Sequence, residues 1–217
     1  MRRENRKRIC VALGLLAAFV LWTAAVRFVD VQAIGPLGSS VGFAALNGFF
    51  HNLTGVHMSL YTITDWLGLV PIGFGMAFAL LGLVQWIQRR RLGRVDRSIL
   101  VLGGYYLVVM AVYILFELFA VNYRPVLIDG ILEVSYPSST TMLVLCVMPT
   151  AAMQLKTRIR NAVLRRCVIS ALAVFTVFMV LGRLVSGVHW VTDIVGGALL
   201  SGGLVLLYDS VNGREAV

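Results

Sequence analysis

His189 and Asp193 stand four residues apart, and Arg183 precedes the histidine by six. A carboxylate beside an imidazole fixes its tautomer and stabilises its cation. A neutral imidazole held that way can attack phosphorus or accept a proton. A second arginine, Arg124, is followed by Pro125. Guanidinium forks match phosphate oxygens better than ammonium groups do. Tyr136-Pro137-Ser138-Ser139-Thr140-Thr141 reads as a helix start, with hydroxyls in the first turn. Such a start offers free backbone N–H groups to an anion. Each feature also has an ordinary reading. The H-x-x-x-D pair can be a polar contact at a helix end, and either arginine can reach for lipid headgroups. The chemical reading rests on all of them meeting at one depth.

The elements that must bring them there are apolar. Of 217 residues, 59% are hydrophobic and 13% charged, against about 45–50% and about 25% in soluble domains. The apolar residues fall in long blocks. Spans are expected at Ile9–Val29, Trp66–Ile87, Ser98–Val121, Ser138–Leu155, Cys167–Gly182 and His189–Tyr208. Each is long enough to cross about 30 Å of hydrocarbon as a helix, and none alternates as a barrel strand does. The expected fold is all-α: one integral membrane domain over residues 1–217, built as a six-helix bundle.

The net charge of +9 is not spread as nucleic-acid binding requires. Basic residues cluster before the first span, across Arg89–Arg97, across Lys156–Arg166, and at Arg214, leaving Arg27, Arg124 and Arg183 apart. That alternation follows the positive-inside rule and suits anionic lipid headgroups. Both termini are therefore expected in the cytoplasm, at the plasma membrane. Asp30–Asp65, Asn122–Pro137 and Arg183–Val188 then face outward. The first span is expected to stay uncleaved, although Ala24-Ala25 permits signal cleavage. Val41–Phe50 reads as an interfacial amphipathic stretch. Trp22, Trp66, Trp86 and Trp190 fall where interfacial aromatics do. Gly196-Gly197 and Gly202-Gly203 suit close helix packing. The odd set Cys10, Cys146 and Cys167 suggests no disulfide framework. His51, His57 and His189 are too irregularly spaced for a zinc site.

In these residues the chain resembles the type 2 phosphatidic acid phosphatase superfamily, the lipid phosphate phosphatases related to vanadium haloperoxidases. The family's third motif is Ser-Arg, five residues, His, three residues, Asp. Here it runs from Gly182-Arg183 through His189 to Asp193, with glycine for the leading serine. The second, Pro-Ser-Gly-His, reads Pro137-Ser138-Ser139-Thr140, without its histidine. The first, Lys, six residues, Arg-Pro, keeps Arg124-Pro125 but has Glu117 for the lysine. The resemblance spans Glu117 to Gly197. It implies His189 as nucleophile, oriented by Asp193, with Arg124, Arg183, Ser138, Ser139 and Thr140 around the phosphoryl oxygens. It also implies no metal and no cofactor. The implied partner is a phosphorylated membrane lipid.

The departures touch the proton donor. Thr140 is too weak an acid to replace histidine. Glu117 would have to pair with an arginine or carry a proton. Three readings follow. In the first, the leaving group is a lipid phosphate that needs little protonation, as from a diphosphate. In the second, Glu117, His57 or His51 supplies the proton. In the third, catalysis is lost, and the chain binds phosphorylated lipid or scaffolds a partner protein. A small transporter is a further class, but inverted repeats are not visible. Oligomeric state is not legible.

Overall fold

The computed structural model describes residues 2–213; Arg214 lies outside the described residues. Among the described residues there are eight α-helices: α1 (Arg2–Phe28), α2 (Ala44–Thr54), α3 (Met58–Leu67), α4 (Leu69–Arg89), α5 (Arg97–Leu118), α6 (Ser139–Arg158), α7 (Ala162–Val185) and α8 (Val191–Asn212). Five segments are long and apolar enough to span a membrane: α1, α3 with α4, α5, α7 and α8. The sixth expected span is α6. At 20 residues it is long enough, but it carries Thr140, Thr141, Thr150 and Gln154, all buried. It packs on α4, α5, α7 and α8. A helix surrounded by protein has no need of the apolar surface that lipid demands, so the six-helix bundle stands with α6 at its centre.

Among the expected boundaries that move, two matter for the site. The second span begins at Met58 rather than Trp66, because α3 runs into α4 with a break only at Gly68. Asp65 therefore sits on a helix. The fifth span extends past Gly182 to Val185, so Arg183 lies in the last turn of α7 rather than in a loop.

Antiparallel neighbours leave the bundle with two different ends. At the basic end, Arg8 pairs with Asp209 at 2.6 Å, and Arg158 donates to the Ser98 hydroxyl at 3.2 Å. At the other end, the connections close over one another. The Asn47 side chain donates to Thr192 Oγ1 at 3.0 Å and to the Gly42 carbonyl at 2.7 Å, tying α2 to the start of α8. His57 N–H donates to the Ser186 carbonyl at 2.9 Å.

Between α5 and α6 the chain folds into a short hairpin. Its turn is Asp129-Gly130, both at positive φ, as a tight hairpin turn requires. Arg124 N–H then donates to the Glu133 carbonyl, and Ser135 N–H to the Asn122 carbonyl, each at 3.0 Å.

The glycine pairs act in packing. A Cβ on Gly203 would meet Leu16 of α1 at 2.7 Å, and one on Gly196 would meet the Tyr136 ring at 2.7 Å. Trp66 and Trp86 are exposed, as interfacial aromatics are. Trp190 corrects the expectation. It is 3% exposed, because its indole N–H donates to the Tyr123 carbonyl at 2.7 Å and pins the hairpin to α8. Trp22 similarly donates to the Thr192 carbonyl at 3.1 Å.

Candidate active site

The connection from α7 to α8 holds His189. It is not on α8, as the four-residue spacing suggests. The helix starts at Val191, with Trp190 as its cap, and His189 precedes it in a bend. The pairing survives because Asp193 reaches back. Its carboxylate accepts the Trp190 N–H at 3.0 Å and faces His189 Nδ1 at 3.6 Å. The turn that delivers His189 depends on Gly187, at φ +69°, where a Cβ would collide with the backbone of Gly55. Gly187→Ala is expected to destabilise the fold by about 1–3 kcal/mol and to lower turnover, read by thermal melting and by assay.

On the other side of the imidazole, Arg124 Nη1 lies 3.2 Å from Nε2. A guanidinium only donates, so Nε2 must present its lone pair and Nδ1 must carry the proton toward Asp193. This tautomer points the lone pair of Nε2 at the Arg124 guanidinium. His189 is 4% exposed. Burial, then the charges of Arg124 and Arg183, hold its pKa well below the usual 6.5. The ring is therefore neutral at physiological pH, as a nucleophile must be.

The sign for stability follows from proton uptake. Below pH 6.5 the unfolded chain binds a proton at this position and the folded chain does not. Stability falls as pH drops through that range, by up to about 1.4 kcal/mol per pH unit. Melting curves between about pH 7.5 and about pH 5 are expected to show a smaller loss for His189→Phe than for wild type.

Arg183 is 1% exposed and enters from α7. It donates to Thr140 Oγ1 at 2.5 Å, to Asp65 Oδ1 at 2.9 Å and to Thr64 Oγ1 at 3.4 Å. The Tyr61 ring lies 5.0 Å from its guanidinium carbon and 5.7 Å from that of Arg124. Arg124, 9% exposed at its side chain, pairs through Nε with Glu133 at 2.9 Å. Two arginines and an imidazole, far apart in sequence, thus meet at one end of the bundle, with Arg124 against His189 and Tyr61 against both arginines.

Ser138 caps α6: its hydroxyl accepts the Thr141 N–H at 3.4 Å, and its own N–H goes to the Asp193 carbonyl at 3.2 Å. Ser138 therefore ties the start of α6 to α8. Ser139 and Thr140 occupy the first turn, where helix N–H groups have no partner within the helix. At Gly182, a side chain in the serine's place would start with its Cβ 2.7 Å from Thr64. Packing of α3 on α7 accounts for that glycine.

Glu117, proposed from sequence as an arginine partner or acid, is not paired with either arginine. Glu133 and Asp65 hold those places. Glu117 lines a separate small cavity with Tyr113, Ser135, Tyr136 and Ser139. His57 is exposed and its ring bonds the Thr54 carbonyl at 2.9 Å. His51 packs on the Trp190 ring at 5.5 Å, and burial lowers its pKa. Asp65, Glu133 and Tyr61 are the site residues that sequence reading missed. Glu133 left a trace, since folding the chain about Asp129-Gly130 sets it opposite Arg124. Asp65 and Tyr61 left none.

The bundle places a buried imidazole beside two arginines at one end of a helical membrane protein. The PAP2 superfamily model matches residues 119–214, the part of the chain that holds Arg124, Arg183, His189 and Asp193, so the chain is similar to that superfamily there. The crystal structure of a transmembrane PAP2-type phosphatidylglycerolphosphate phosphatase from Bacillus subtilis shares the fold. The TM-score is 0.54, over 94% of this chain and 96% of that one, at 20% identity. No curated protein sequence matches the chain.

Proposed function

We propose that the protein is a lipid phosphate or diphosphate phosphatase that works through a phosphohistidine on His189. The observation that carries this reading is the orientation of the imidazole: the Nε2 lone pair faces Arg124 Nη1 at 3.2 Å, and Nδ1 is backed by the buried Asp193 at 3.6 Å. A phosphoryl group entering between Nε2 and Arg124 would meet Arg183 and the first turn of α6. Nε2 attacks phosphorus, the bond to the leaving oxygen breaks, and positive charge on the ring is held by Asp193. Water then cleaves the N–P bond, leaving one of its protons on the released phosphate and giving the other to solvent. Fixed donors around the transferring group supply the stabilisation.

Thr140 points to the substrate class. Its hydroxyl accepts a hydrogen bond from Arg183 and is too weak an acid to protonate a leaving group. A lipid diphosphate releases a phosphate that already carries its charge, so this site is better suited to diphosphates than to simple monoesters. The charge distribution along the chain supports cytoplasmic termini and a site on the outer face of the plasma membrane. Purified protein incubated with lipid diphosphate labelled in its terminal phosphate is expected to form an acid-labile, base-stable adduct that His189→Ala does not form. The departed acid also favours a second reading, a non-catalytic binder of phosphorylated lipid. Saturable lipid binding without adduct or phosphate release would establish that reading instead.

A further inference from the structure

Both arginines of the pocket already hold an anion. Arg183 is 1% exposed at its side chain and its partner Asp65 is 56% exposed. Arg124 is 9% exposed and its partner Glu133 is 40% exposed. In each pair the cation is deep and the carboxylate is at the surface, with 2.9 Å between them. The two carboxylates come from unrelated elements, the last turn of α3 and the hairpin before α6. The Tyr61 ring packs against both guanidinium groups and keeps them side by side. The two positive charges of the pocket are thus offset by two negative charges at its mouth. Any phosphate must displace these carboxylates or lie against them.

We propose that Asp65 and Glu133 are specificity-determining residues that select phosphate carried on a membrane lipid over phosphate free in water. The proposal rests on the phosphoryl reading of the site. A soluble phosphate is drawn in by charge alone, and the carboxylates cancel most of that attraction. A lipid-borne phosphate is held at the pocket by its chain in the bilayer, so its local concentration is high without any help from charge. Because both carboxylates are half-exposed, turning them into water costs little once a tethered phosphate pushes in. The same balance lets the released phosphate leave, since nothing tethers it.

The test uses the full-length protein in detergent micelles, with inorganic phosphate as the probe. Phosphate binding is measured by calorimetry, and phosphate inhibition is measured against a long-chain lipid phosphate or diphosphate, for wild type, Asp65→Asn, Glu133→Gln and the double variant. Each single variant is expected to bind phosphate about three- to fivefold tighter, and the double variant about tenfold tighter or more. The KM for the lipid substrate is expected to change less than the phosphate affinity does. Both substitutions keep shape, and unchanged melting temperatures confirm that the fold is retained. Turnover or phosphate binding by wild type, with no tightening in any variant, overturns this proposal and leaves the phosphoryl reading intact. Absence of phosphate binding and of turnover in wild type and double variant alike overturns both.

Discussion

His189→Ala is expected to lower kcat by at least about 10^4-fold, with far less effect on lipid affinity. That loss corresponds to about 5.5 kcal/mol of transition-state stabilisation. On the proposed reading the arginines and the bilayer would hold phosphate and chain, and the substitution leaves both in place, so KM should change little. The variant's stability should fall less than that of wild type as pH drops below 6.5, because it removes a buried ring that resists protonation. Turnover within tenfold of wild type would show that the imidazole does not attack phosphorus. Steady-state assays on lipid diphosphate, with retained lipid binding as the control, distinguish lost chemistry from lost folding.

Arg183→Lys carries the second large expectation: kcat/KM falling about 10^2- to 10^3-fold, or about 3–4 kcal/mol. The charge is conserved, so the loss isolates geometry. The guanidinium reaches Thr140, Asp65 and Thr64 together and stacks on Tyr61. An ammonium on a shorter stem cannot hold three directions or lie flat on a ring. Most of the loss should fall in kcat, since the fork is placed for oxygens whose charge grows during transfer. The melting temperature provides the check on structure, because Arg183 is buried. If activity stays within threefold of wild type, Arg183 serves only to join α7 to α3.

Legibility in the sequence tracked how local each feature is. Helices crossing lipid must be long and apolar whatever their neighbours, so the apolar blocks expected as spans fall on α1, α5 and α8, with ends that differ by up to seven residues. The His189–Asp193 pairing was readable from spacing, although its cause was not. A helix face was expected, and instead Asp193 reaches back from the first turn of α8 to cap Trp190 and meet the ring. Glu117 was given a role because it occupies a motif position. The structure assigns the arginine contacts to Glu133 and Asp65, and ion pairs between distant elements leave no periodic mark on a chain. Trp190 shows the same limit: its position near a span end suggested the interface, but a single long-range hydrogen bond buries it.

By itself, then, the sequence determined a membrane-spanning helical bundle, its basic end, and the residue types that can handle phosphate, because hydropathy, charge and motif spacing are properties of the chain alone. Tertiary structure decided which helix needs no lipid-facing surface, which carboxylates confront the arginines, and which imidazole nitrogen faces Arg124. Those depend on distances between segments up to about a hundred residues apart, set by how α3, the hairpin and α7 pack against one another.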